Sequence, residues 1–109
     1  ENVYCAEVEA VLFEHPGVGD VAVIGVPHRS LGEEVLAVVE PQPGVPVAVA
    51  ALQEHAASRL ARFKVPTQII FIDEPLPRTA TGKVLKRELR QRFTEPSVAE
   101  RNTRWLTSS

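Results

Sequence analysis

This chain of 109 residues has one cysteine, Cys5, and no methionine. A lone thiol can close no intrachain disulfide and build no cysteine-rich metal site, which fits a reducing compartment, and the cytoplasm is the expected location. Cys5 itself reads as a small buried apolar residue. His15, His28 and His55 are scattered without ligand spacing, so no metal site is expected. The sequence also lacks a serine nucleophile elbow, a signal-like start and any apolar run of about 18 residues, so neither a membrane span nor export is expected. Net charge is small, −2, which argues against a general binder of nucleic acid or membrane surfaces. No internal repeat is visible. The first residue is Glu1 rather than Met, and a piece of a longer protein is the expectation.

What is present is a 44% hydrophobic composition, enough for one core but not for a large internal cleft, so an active site here would be shared with another surface. The charge is unevenly distributed. From Glu1 to Glu40 there are eight acids and one base, Arg29, whereas from Lys64 to Arg92 there are seven bases and three acids. Such a local positive field on an acidic body suits a small phosphate-bearing ligand; the same pattern also fits a solvated basic helix face.

Periodicity predicts a first helix over Ala6 to His15, stopped by His15-Pro16-Gly17. Val18 to Val26 reads as a strand with Asp20 as a solvent-side interruption, and His28 to Gly32 as a turn. The nearly unbroken Val35-Leu36-Ala37-Val38-Val39 within Glu34 to Val39 predicts a strand covered on both faces. A proline-rich loop follows. Leu52, Ala56, Leu60 and Phe63 then predict a second helix from Val47 to Phe63, with a poorly capped start. Gln68 to Ile72 is a third strand, Asp73 to Gly82 a loop, and Val84 to Phe93 a third helix with Leu85, Leu89 and Phe93 on one stripe and Glu88 able to pair with Arg92. The expected fold is α/β (α+β): a small, mostly buried, three-stranded mixed sheet flanked by helices in the order α-β-β-α-β-α. Residues 1–93 form the domain and 94–109 a tail.

The most informative stretch is Pro77-Arg78-Thr79-Ala80-Thr81-Gly82-Lys83. Glycine and lysine at a helix start point to phosphate binding. The nucleotide-binding P-loop is excluded, because the positions that need glycine and a hydroxyl residue hold Pro77 and Val84. What remains is an arm stiffened by Pro75 and Pro77 and freed at Gly82, presenting Lys83; an ordinary surface lysine fits the same residues.

Pro77 to Leu89, read as Pro-Arg-Thr-Ala-Thr-Gly-Lys-Val-Leu-Lys-Arg-Glu-Leu, closely resembles the C-terminal signature of the acyl-adenylate-forming superfamily of acyl-CoA synthetases, peptide synthetase adenylation domains and luciferases. Three other stretches resemble it in order: Glu1 to Glu9 like the segment after the interdomain hinge, Gly25-Val26-Pro27 with Leu31-Gly32-Glu33 like the strand-turn-strand signature, and Leu60 to Pro66 like the motif ending the second helix. The resemblance implies an enzyme that converts a carboxylic acid and ATP to an acyl adenylate and pyrophosphate, then passes the acyl group to a thiol. It implies a large N-terminal domain of the same polypeptide that holds ATP, Mg²⁺ and the acid, and a small C-terminal domain that rotates between the half-reactions. This chain resembles the latter, inactive in isolation. Lys83 matches the family's adenylation lysine, with Gly82 and Asn2 as nucleotide-binding positions; an acetyltransferase acting on Lys83 is also implied. Thr79 and Thr81 fit either hydroxyl donors or simple loop stabilisation. Phe63 and Lys64 fall where CoA contacts can occur, and equally fit a core-edge aromatic and a surface lysine. Two departures stand out: Leu31, where relatives often carry Trp and which cannot stack on an adenine, and His28, where they often carry Asp.

Peptide synthetases typically carry Asp two residues after this lysine, where Leu85 stands here, so the resemblance favours an acyl-CoA ligase using CoA. An adenylation domain loading a carrier-protein pantetheine is one alternative. A stand-alone interaction domain, docking its basic third helix on an acidic protein surface, is another. The acid is not readable from these residues.

Overall fold

The computed structural model describes residues 4–28 and 32–94, with the side chains of His28, Gly32, Glu33 and Thr94 excepted. Its elements are α1 (Cys5–Phe13), β1 (Val18–His28), β2 (Gly32–Pro41), α2 (Val49–Ala57), a short 3-10 helix (Arg62–Lys64), β3 (Gln68–Phe71) and α3 (Lys86–Thr94). The expected order and mixed sheet are therefore present. Strand order is β1-β2-β3, with β2 antiparallel to β1 and parallel to β3.

The alternation of side chains along β1 and β2 builds two cores from one sheet. Val21, Val23, Val35, Ala37 and Val39 face α1 and α2 and meet Val8, Leu12, Leu52 and Ala56. Ala22, Ile24, Val26, Leu36 and Val38 face the opposite way and meet Leu76 and Leu89. The unbroken apolar run of β2 is thus explained by two covered faces. All three helices have nine residues, and neither α1 nor α2 has a side-chain cap at its start. Helices this short are held by burial of one face rather than by propensity.

Several boundaries differ from the sequence expectation by a few residues: α1 ends at Phe13 rather than His15, and β1 and β2 run on to His28 and back to Gly32, the residues read as the ends of a turn; two further differences bear on the site. The predicted second helix to Phe63 ends at Ala57, where Ser58 is the C-cap residue and its Oγ donates to the His55 carbonyl at 2.7 Å. Ala61, at φ −58° and ψ 147°, then turns the chain out of the helical path before the 3-10 turn. Leu60 stays buried while Phe63 is 71% exposed, so the helical stripe did not carry Phe63 into the core. Likewise, α3 begins at Lys86, leaving Leu85 ahead of the helix and exposed, and Arg92 pairs with Glu74 at 2.9 Å across the preceding loop.

Candidate functional site

The proline-stiffened arm that carries Lys83 is a closed hairpin. Arg78 and Val84 form an isolated antiparallel bridge, flanked by Leu85 N–H donating to the Pro77 carbonyl and Thr79 N–H donating to the Lys83 carbonyl at 2.9 and 2.8 Å. Gly82 N–H donates to the Thr79 carbonyl at 2.9 Å. This is the pattern of a three-residue hairpin loop ending in a residue with positive φ, and Gly82 sits at φ +93°. A Cβ at Gly82 would meet nothing within 4 Å, so within this chain the glycine is required by backbone conformation and not by space. The threonines act inside the loop: Thr79 Oγ1 accepts from Lys83 N–H at 3.1 Å and lies 2.9 Å from Thr81 Oγ1.

The hairpin is anchored to the sheet by Arg78. Its guanidinium donates to the Gly82 carbonyl and to Asp20 Oδ2, the latter at 2.6 Å. Asp20 is therefore more than a solvent-side interruption of β1. On the next element, Lys86 pairs with Glu9 at 2.9 Å. Glu9 also receives the Val23 N–H of β1 at 2.7 Å. Arg78, Lys83, Val84 and Lys86 line a cleft of about 540 Å³ with Glu9 and Val21. Among the described residues nothing pairs with the Lys83 ammonium, so the cleft has two neutralised cations and one available cation.

Phe63 and Lys64 lie elsewhere. Lys64 Nζ pairs with Glu7 of α1 at 2.8 Å and stands 5.9 Å from the Tyr4 ring centroid and 5.7 Å from that of Phe63. The two aromatic rings meet edge to face at 5.8 Å. Glu7 and Glu9, two positions apart on one helix, project to different sides, and α1 therefore separates this aromatic-cation cluster from the Lys83 cleft. Of the sequence candidates, the structure joins Gly82 to Lys83 and Phe63 to Lys64, and keeps the two pairs apart. Asn2, Leu31 and the tail beyond Thr94 lie outside the described residues, as does the His28 side chain. Among the described residues no three His, Cys, Asp or Glu side chains cluster to hold a metal, and no helix is long and apolar enough to cross a membrane. Asp20, Arg78 and Glu9 were missed as site-forming residues; only Arg78, next to Pro77 in the quoted motif, carried a local signal.

The family described as the AMP-binding enzyme C-terminal domain matches residues 7–83. The chain belongs to that family. It is 44% identical over 102 residues to a fatty acid–[acyl-carrier-protein] ligase of Streptomyces coeruleorubidus and 47% identical over 91 residues to a 2-succinylbenzoate–CoA ligase of Geobacillus kaustophilus. These alignments cover 94% and 84% of this chain. The chain spans 20% and 18% of the length of those relatives, about a fifth. Among solved structures it is similar to ATP-bound MatB from Rhodopseudomonas palustris, with a TM-score of 0.80 and 41% identity over 87% of this chain and 19% of that one.

Proposed function

We propose that residues 1–93 are the mobile C-terminal domain of an ATP-dependent acyl-CoA ligase, with 94–109 as its tail, and that Lys83 acts in the adenylation half-reaction. The observation that carries this reading is the Lys83 ammonium, unpaired among the described residues and held on a closed, anchored hairpin in a cleft whose other cations are neutralised. In adenylation a carboxylate oxygen attacks the α-phosphorus of ATP and the bond to the β-phosphate oxygen breaks, releasing pyrophosphate. Two anions must approach, and negative charge grows on the α-phosphoryl oxygens. A preorganised ammonium in a closed site lowers that barrier, because its geometry is set before the reaction begins. In the second half-reaction the thiol loses its proton, its sulfur attacks the acyl carbonyl carbon, and the bond to AMP breaks. That step needs no cation from Lys83, and the domain rotates to another pose for it. Phe63 and Lys64, on a separate flank of α1, are in this proposal the CoA-side contacts, and Gly82 and Asn2 serve the nucleotide. ATP, the acid and Mg²⁺ are assigned to the large N-terminal domain, and the isolated 109-residue chain is expected to be inactive.

The test is Lys83→Ala in the full-length enzyme. Pyrophosphate-forming adenylation should fall by about 100-fold or more, the scale of losing a preorganised charge donor. Thioester formation from supplied acyl adenylate should survive largely intact, and enzyme acetylated at Lys83 should behave as the alanine variant does, since acetylation removes the same charge. Equal loss of both half-reactions with the fold intact would sink the assignment. One relative favours a second reading: the Streptomyces ligase, named for an acyl-carrier-protein acceptor, aligns with 94% of this chain. Offering CoA and a pantetheinylated carrier protein in separate assays decides between the two thiols.

A further inference from the structure

The outer edge of β1 is where the sheet meets the Lys83 segment. β1 is an edge strand, so alternate N–H groups point away from β2 and need other acceptors. Val21 N–H finds Asp20 Oδ1 at 2.9 Å, and Val23 N–H finds Glu9 Oε2 at 2.7 Å. Each carboxylate also holds a cation of the segment carrying Lys83. Asp20 Oδ2 receives Arg78 at 2.6 Å, and Glu9 Oε2 receives Lys86 at 2.9 Å. Arg78 precedes Lys83 and Lys86 follows it, so the available ammonium sits between two restrained positions. Arg78 additionally donates to the Gly82 carbonyl, the peptide oxygen immediately before Lys83. The path from the sheet to the lysine is therefore short: β1 backbone, Asp20 carboxylate, Arg78 guanidinium, Gly82 peptide, Lys83.

Resting on the adenylation role proposed above, we infer that Asp20 and Arg78 form a positioning pair that fixes the Lys83 hairpin against β1, and that this pair matters for adenylation rather than for folding. As a stabilising element the pair is weak. Its side chains are 27% and 40% exposed, and exposed ion pairs contribute little to stability. As a geometric device it is strong. A fork-shaped guanidinium linking a carboxylate to a peptide carbonyl restricts the hairpin's orientation, and a displacement of about 1 Å at a reacting group can cost on the order of 100-fold in rate. Glu9 and Lys86 restrain the other end of the segment in the same manner.

The experiment uses the full-length enzyme with the Asp20→Asn, Arg78→Gln and Lys83→Ala variants and the Asp20→Asn/Lys83→Ala double variant. Asparagine keeps an oxygen for Val21 N–H but removes the charge that holds Arg78. Arg78→Gln leaves Asp20 and its backbone contact in place. Each of these two single variants should lower adenylation turnover about 10-fold, with the KM for ATP and acid within about twofold of the parent and thioester formation from acyl adenylate unchanged, the scale expected when a reacting group is misplaced but present. In the Lys83→Ala background, Asp20→Asn should produce no further loss, because a pair that acts through Lys83 has nothing left to position. Asp20→Asn and Arg78→Gln both at parental turnover would overturn the inference while leaving the Lys83 assignment standing. The same holds if the Asp20→Asn loss multiplies fully with that of Lys83→Ala, or if both half-reactions fall together. If Lys83→Ala itself spares adenylation, the functional reading fails first and the inference falls with it.

Discussion

Replacing Gly82 with alanine should slow adenylation without unfolding the domain. Gly82 lies at φ +93°, where a residue with a Cβ is strained, yet a Cβ placed there would meet no atom within 4 Å. The cost of alanine is therefore intrinsic to the backbone, about 1–2 kcal/mol, with no added clash. Thr79, Ala80, Thr81 and Lys83 around it are all exposed, so few buried contacts oppose a local opening of the loop, and the strain is relieved there rather than by global unfolding. A change of one to two kcal/mol shifts a closed-to-open ratio by roughly 5- to 30-fold, which bounds the expected loss of adenylation rate. Thermal unfolding of the full-length Gly82→Ala enzyme should be nearly unchanged, as should thioester formation from supplied acyl adenylate. Asparagine separates this explanation from its rival. Asn tolerates the left-handed backbone, so Gly82→Asn should recover much of the lost rate. If the part proposed for Gly82 at the nucleotide depended on its lacking a side chain rather than on its backbone conformation, the larger asparagine would be worse than alanine. Asparagine below alanine, or alanine at parental rate, would refute the backbone argument.

Leu89→Ala should destabilise the chain by about 2–5 kcal/mol in chemical denaturation, since Leu89 is fully buried against the Leu36 and Val38 face of the sheet. A loss under about 1 kcal/mol would contradict the packing described for α3. Phe63→Ala should leave stability within about 0.5 kcal/mol, because the ring is 71% exposed, while raising the KM for the thiol substrate and sparing adenylation. An unchanged thiol KM would remove Phe63 from the proposed CoA contacts.

Local signals in the sequence determined the elements. The valine and isoleucine run of β1 and the unbroken apolar core of β2 are read within a few residues and lie in the strands the pattern predicts, although Pro27 is inside β1 and Gly32 inside β2, where a strand end and a turn are expected. The second helix was overextended for a physical reason. Leu60 and Phe63 keep helical spacing, and spacing alone does not register that Ala61 leaves the helical conformation and swings Phe63 out to solvent. Gly82-Lys83 stands out in the sequence through the resemblance of Pro77 to Leu89 to a family signature, because a glycine before a lysine in a proline-stiffened loop fits an ordinary surface lysine as well.

What holds that pair was not legible. Asp20 and Arg78 are 58 residues apart, and each alone looks like an ordinary surface charge. Val23 and Glu9 are 14 apart, joined because β1 is an edge strand whose outward N–H groups require acceptors from elsewhere. The sequence by itself determined which residue offers a cation and which segments form the sheet and its covering helices. Only the tertiary structure decided that the lysine's neighbours are neutralised by two carboxylates, Asp20 of β1 and Glu9 of α1, that meet at the β1 edge, while among the described residues nothing pairs with its own charge. Strand pairing and edge satisfaction are properties of the assembled sheet, and no local stretch of the chain encodes them.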